Sequence, residues 1–318
     1  MGGYSYSPEE ARSFRERHTR GRSAAEIFQA ASMDPDFDPA RIKTRECRAS
    51  DVHPNPTPII VGLDVTGSMD AVLRQIIDES LVDTINHIYE QKPVSSPQVM
   101  IMGIGDSTCD EAPLQMTQFE ADIRILEQLK RLYVERGGGG NHGESYPLAW
   151  MAAAQMTSCD SLLENPPRKG YLFTIGDEPP LTDISAEEIR EVFGPRFGLN
   201  GATAQQLYRA AARSFHVYHL IIEEGNYASH YPKETMKAWR RLIGRNAIGV
   251  ADYREIAGVI VSIIQMVDGR KTLSEIDELW SGTSTQAVVR KALTGSVPAL
   301  PEPEGLLRRI GRAISFKP

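Results

Sequence analysis

From Pro58 onward the chain alternates between short unbroken apolar runs and longer stretches whose apolar positions recur every three or four residues. Ile59-Ile60-Val61-Gly62-Leu63 closes on Asp64, the pattern of a strand buried on both faces. Residues 70–91 follow with Val72, Ile76, Leu81, Ile85 and Ile88 at helical spacing. Val99–Ile104 predicts a second buried strand, Leu114–Thr117 a short edge strand, and Phe119–Glu135 an amphipathic helix. After the glycines Gly137–Gly140, the pattern predicts a helix over Ser145–Thr157 and a strand over Tyr171–Ile175 that runs into Gly176-Asp177. Ser185–Phe193 and Thr203–Ser214 each open with a capping-box spacing, Ser185 with Glu188 and Thr203 with Gln206. Strands over Phe215–Ile222 and Ala247–Val250 and helices over Pro232–Ile243 and Asp252–Val267 complete the series. Repeated βα units of this kind specify a doubly wound, Rossmann-like α/β fold: a mostly parallel sheet with helices on both faces.

The flanks differ. Ser7-Pro8-Glu9-Glu10 is a helix start, and Ser23 with Glu26 is a second capping-box spacing. Residues 33–57, with Pro35, Pro39, Pro54 and Pro56, read as irregular chain. The expected division is a helical arm and linker over 1–55, the α/β domain over 56–269, a helical extension over 270–295, and a Pro-rich linker with a basic amphipathic tail over 296–318. The stretch 305–317 carries four basic residues, no acid beyond the preceding Glu304, and an apolar stripe, which makes it a candidate docking peptide.

Composition narrows the function. Lys and Arg total 35 against 42 Asp and Glu, a net charge of −7, which argues against a nucleic-acid partner. Cys47, Cys109 and Cys159 are an odd number at wide spacing, so the expectation is a reducing cytoplasm without a disulfide framework. The most apolar stretch, Ile256–Val267, is too short to span a bilayer, so no transmembrane segment is expected.

Ligands of open parallel sheets sit outside the carboxyl ends of the strands. There the chain places Asp64, Thr66 and Ser68 in one turn, a carboxylate and two hydroxyls at alternate positions. These hard oxygen donors suit Mg²⁺ or Mn²⁺; the same residue types also cap helices. Asn141-His142-Gly143-Glu144 presents a second carboxylate after the glycines, and Gly176-Asp177-Glu178 adds acids at the same edge. Three oxygen-bearing loops at one edge repel one another without a cation between them.

Asp64-Val65-Thr66-Gly67-Ser68-Met69, then Gly137 to Trp150, then Phe173 to Glu178, taken in order, resemble a von Willebrand factor A domain with a metal-ion-dependent adhesion site. Thr66 stands for the first Ser of the family's Asp-x-Ser-x-Ser motif. The middle motif is similar to that of integrin β subunits, with Asn141 where that variant has Asp. The resemblance spans about Pro56 to Gly269. It implies a divalent cation (Mg²⁺, or Mn²⁺ or Ca²⁺) held by Asp64, Thr66, Ser68, Glu144 and Asp177, with Asn141 nearby. It further implies non-enzymatic capture of an exposed Asp or Glu of a protein partner, in a family whose intracellular members often act beside AAA+ ATPases.

The strongest rival starts from the same turn. Asp64-Val65-Thr66-Gly67-Ser68 also resembles the Asp-Lys-Thr-Gly-Thr of haloacid-dehalogenase phosphotransferases, in which the Asp is a nucleophile. That chemistry needs a Lys beside the phosphate, and Lys169 precedes its strand, at the opposite edge of the sheet.

Overall fold

The computed structural model describes residues 6–19, 21–22, 24–66, 81–134, 143–197 and 200–294. The strands are β1 (Arg45–Cys47), β2 (Pro56–Asp64), β3 (Ser96–Ile104), β4 (Leu114–Met116), β5 (Thr157–Cys159), β6 (Gly170–Gly176), β7 (Asp183–Ile184), β8 (Ala202–Thr203), β9 (Phe215–Ile222) and β10 (Ala247–Val250). Six of them form the central sheet in the order β10-β9-β6-β2-β3-β4. All neighbours are parallel except β4, which runs antiparallel to β3 at the edge.

The sheet is buried on both faces, as the unbroken apolar runs require. Ile59, Val61 and Leu63 of β2 enter one core with helices Leu81–Gln91 and Ile256–Val267. Ile60 points the other way, into a core built with helices Tyr146–Gln155, Ala186–Phe193, Ala204–Ala211 and Pro232–Ile243. Alternation along one strand thus feeds two cores, the mark of a doubly wound α/β domain. Truncating such a side chain, Ile60→Ala for example, costs about 2–5 kcal/mol.

Most local signals act as read. Ser185 and Thr203 form full capping boxes, and Ser7 caps the helix Pro8–His18. Three expectations change. The helix expected over Phe119–Glu135 shrinks to Arg124–Leu129, because Glu120 instead pairs antiparallel with Val99. The irregular segment 33–57 contains β1, which pairs in parallel with the unforeseen β5 just after the helix Tyr146–Gln155. That ladder also brings two of the widely spaced cysteines, Cys47 and Cys159, into register. Ser23 lies outside the described residues, as do the first half of the helix expected over 70–91 and the tail 305–317.

The N-terminal arm has no separate interior: Tyr6, Phe14, Phe28 and Phe37 join the first core. Tyr6 stacks on Tyr89 with ring centroids 4.4 Å apart. Beyond Gly269, helices Leu273–Leu279 and Ser284–Leu293 cover the helix Ile256–Val267, whose Ser262 hydroxyl receives the Trp280 indole N–H at 2.9 Å. Among the described residues no helix is long and apolar enough to cross a membrane.

Candidate metal centre

The site is assembled at the carboxyl edge, where β2 and β6 end side by side. Asp64, the last residue of β2, is 1% exposed. Its Oδ1 accepts from the Thr66 amide (3.0 Å) and hydroxyl (2.6 Å), the turn that an Asp-x-Thr spacing favours. Its Oδ2 accepts from the Tyr146 hydroxyl at 2.7 Å. Burial and then the charge of Asp177 push the Asp64 carboxyl up to about 7, against the pull of the Thr66 and Tyr146 hydrogen bonds.

Asp177 follows β6 directly and is fully buried. Its Oδ2 accepts from the Tyr227 amide at 2.7 Å, whereas its Oδ1 is buried without a hydrogen-bond partner among the described residues. Burial raises this carboxyl to about 6. Gly225 permits the approach of the chain after β9, since a Cβ there would lie 2.2 Å from the Asp177 Cβ.

Glu144 reaches the edge from the glycine loop. Its amide donates to the Pro179 carbonyl and its carbonyl accepts from the Leu181 amide, both at 3.1 Å, so its backbone is bound to the loop that carries Asp177. Its Oε2 is buried and has no hydrogen-bond partner among the described residues. Burial first, then Asp64, Glu178, Asp106 and Asp110, pushes its carboxyl up to about 11. Four expected ligands, Asp64, Thr66, Glu144 and Asp177, therefore share one edge; Ser68 and Asn141 lie outside the described residues.

Sequence reasoning missed Tyr146, which holds Asp64 from the helix after the glycine loop. One signal lies in Gly176: a Cβ at that position would sit 2.0 Å from the Tyr146 hydroxyl and 2.9 Å from Asp64 Oδ2. Beneath the site, His219 is buried, bonded to the Thr174 hydroxyl at 2.9 Å and stacked on Trp239 at 3.4 Å, so it packs as expected of a core residue. Asp106, after β3, repeats the first turn: its Oδ1 accepts from the Thr108 amide and hydroxyl, both at 2.8 Å. Glu223 and Glu224, which follow β9, are engaged by Lys291 at 2.7 Å and by the Tyr253 amide at 2.9 Å. Lys169 donates to the Ala212 carbonyl at the amino end of β6, away from Asp64.

Two buried carboxylate oxygens without hydrogen bonds, on Glu144 and Asp177, fit a bound cation, as does the all-oxygen donor set. Among the described residues no three His, Cys, Asp or Glu side chains alone form a metal cluster.

No family model matches the sequence, and no curated protein matches it. Solved structures of similar fold include a von Willebrand factor type A protein from Catenulispora acidiphila (15% identity, TM-score 0.37, covering 75% of this chain and 51% of that one). The pilus adhesin SpaC from Lactobacillus rhamnosus GG gives 11% identity and a TM-score of 0.47 over 70% of this chain and 31% of that one. Proximal thread matrix protein 1 from the mussel byssus, described with a zinc-occupied MIDAS motif, gives 10% and 0.41 over 71% and 49%. The chain thus spans about a third to a half of these proteins. The likeness is one of fold, at scores that carry no argument about the site.

Proposed function

We propose that this chain is a non-enzymatic binding module of the von Willebrand factor A type, which captures a partner's carboxylate through a divalent cation. Asp64, Thr66, Ser68, Glu144 and Asp177 hold the ion, directly or through water, with Asn141 at the margin. The ion supplies an electrophilic anchor with one position left for the partner's Asp or Glu, so that an acidic protein attracts an acidic ligand. Mg²⁺ is the proposed ion, with Mn²⁺ or Ca²⁺ as substitutes, because every donor is a hard oxygen.

The observation that carries this reading is the pair of unpartnered buried oxygens on Glu144 and Asp177 beside the Asp64–Thr66 turn. Such groups cost about 1–3 kcal/mol each when unsatisfied, and a cation held beside Asp64 would relieve that cost. A cytoplasmic location and a role as an assembly factor beside an AAA+ ATPase are the finer parts of the proposal, and they rest on the family resemblance. The phosphotransferase alternative lacks its lysine at this edge among the described residues, since Lys169 lies at the other end of β6.

The test is capture of partners from the source cytosol by the full chain in Mg²⁺ and again in EDTA, beside the double variant Thr66→Ala/Ser68→Ala. A partner retained by the wild type in Mg²⁺ alone supports the reading. One bound equally in EDTA and by the double variant overturns it.

A further inference from the structure

Cys47 and Cys159, distant in the sequence, are aligned partners at the end of the parallel β1–β5 ladder. Aligned residues of parallel strands project to the same side, with the strands about 4.7–4.9 Å apart. That spacing falls within the Cα separation of about 4.4–6.8 Å that a disulfide bridges. Both residues are free thiols and buried.

The ladder joins two parts of the molecule. The Thr44 hydroxyl (3.2 Å) and the Arg45 amide (2.7 Å) both donate to the Met156 carbonyl, and Arg48 reaches Asp160 at 2.7 Å. β5 follows directly on the helix Tyr146–Gln155, whose first residue holds Asp64. The N-terminal segment is therefore attached to the far end of the helix that begins at the candidate metal centre.

We propose that Cys47 and Cys159 are a modification site: on exposure to a hydroperoxide they form a disulfide that covalently staples the N-terminal segment to the α/β domain. The two thiols are unequal. Interaction with Cys47 draws the Cys159 thiol below its ordinary value, whereas burial, and then Cys159, pushes the Cys47 thiol up. Cys159, 3% exposed where Cys47 is fully enclosed, is the thiol an oxidant meets first and acts as the attacking thiolate. It displaces hydroxide from the peroxide as the O–O bond breaks and becomes a sulfenic acid. The Cys47 sulfur, losing its proton, then attacks that sulfur; the S–O bond breaks and water leaves. Two thiols lose two electrons and two protons, and hydrogen peroxide becomes two waters. Local opening of the three-residue ladder admits so small an oxidant. Cys109 does not compete: it is exposed, but its thiol is pushed up to about 12 by desolvation and by Asp106.

The experiment treats the full native chain with hydrogen peroxide, then denatures it in excess iodoacetamide before digestion and mass spectrometry. The expected product is a Cys47–Cys159 linked peptide, two hydrogens lighter than the pair of thiols and reversed by dithiothreitol. The thermal midpoint of the oxidised Cys109→Ser chain should rise by several degrees over its reduced form, and the rise should vanish on reduction. Two other outcomes overturn the proposal: both cysteines fully alkylated after peroxide, or either one driven to sulfinic acid without a link. A linked peptide with an unchanged midpoint removes the stapling role. None of these readouts depends on the metal centre.

Discussion

At the amino end of the sheet, Arg168 pairs with Glu164 at 2.9 Å and also donates to the Pro56 carbonyl, while Arg270 pairs with Asp268 at 2.6 Å. These charges are partly exposed and paired with opposite ones. At the carboxyl end, Asp64, Glu144 and Asp177 are buried, and the charges that act most on them are negative. Matched surface pairs contribute little, with a median of about 0–1 kcal/mol. Buried like charges carry a real cost, which protonation or a cation relieves. The same sheet therefore has one end whose charges are paired and one whose buried carboxyl groups act against one another.

That contrast can be broken most forcefully with metal. Mg²⁺ or Mn²⁺ at about 100 times its dissociation constant should stabilise the fold by about 2.7 kcal/mol, seen as a rise in thermal midpoint. The rise should disappear in Asp64→Ala, and an equal rise in that variant would remove the site.

Tyr146→Phe comes next. It takes the donor from Asp64 Oδ2 and should cost about 1–3 kcal/mol in denaturant unfolding, with the circular dichroism spectrum unchanged.

Acidity sharpens the comparison by about 1 kcal/mol per pH unit for each proton the folded chain retains. In EDTA the folded chain keeps protons on Asp177 to about pH 6, Asp64 to about pH 7 and Glu144 to about pH 11. The unfolded chain releases them above about pH 4. The folded state therefore binds more protons through this window, and stability should fall as pH rises from about 6.5 to about 9. Below that range His219, whose burial holds it well below its usual value, opposes further gain. Unfolding midpoints in EDTA across this range check the sign, and a rise with pH would contradict it. Saturating metal should flatten or reverse the slope, because the ion displaces the protons.

The smallest effect belongs to the amino end. Glu164→Gln should change stability by no more than about 0.5 kcal/mol in denaturant melts and leave the metal response intact.

How legible this was from the sequence depended on the range of the interaction. β2, β3, β6, β9 and β10 announce themselves because a strand buried on both faces must be apolar along its length. Asp64, Thr66 and Asp177 can be placed at the carboxyl edge because they close or follow such strands, whereas Glu144 is read from its position after the glycine loop and before the helix Tyr146–Gln155. β1 and β5, Arg45-Glu46-Cys47 and Thr157-Ser158-Cys159, carry no hydrophobic pattern; their pairing exists only once the chain folds back. Tyr146 was missed for a related reason. Its function depends on a side-chain approach across Gly176, which no local spacing encodes.

The most direct test of a cation site at the carboxyl edge is a Mn²⁺ titration followed by electron paramagnetic resonance, on the wild type and on Asp64→Ala near neutral pH. The account predicts one Mn²⁺ held per wild-type chain, competed by Mg²⁺, and an affinity at least tenfold weaker in the variant, since losing a buried charged ligand costs more than about 1.4 kcal/mol. Equal binding by both chains, or none by the wild type, would contradict it.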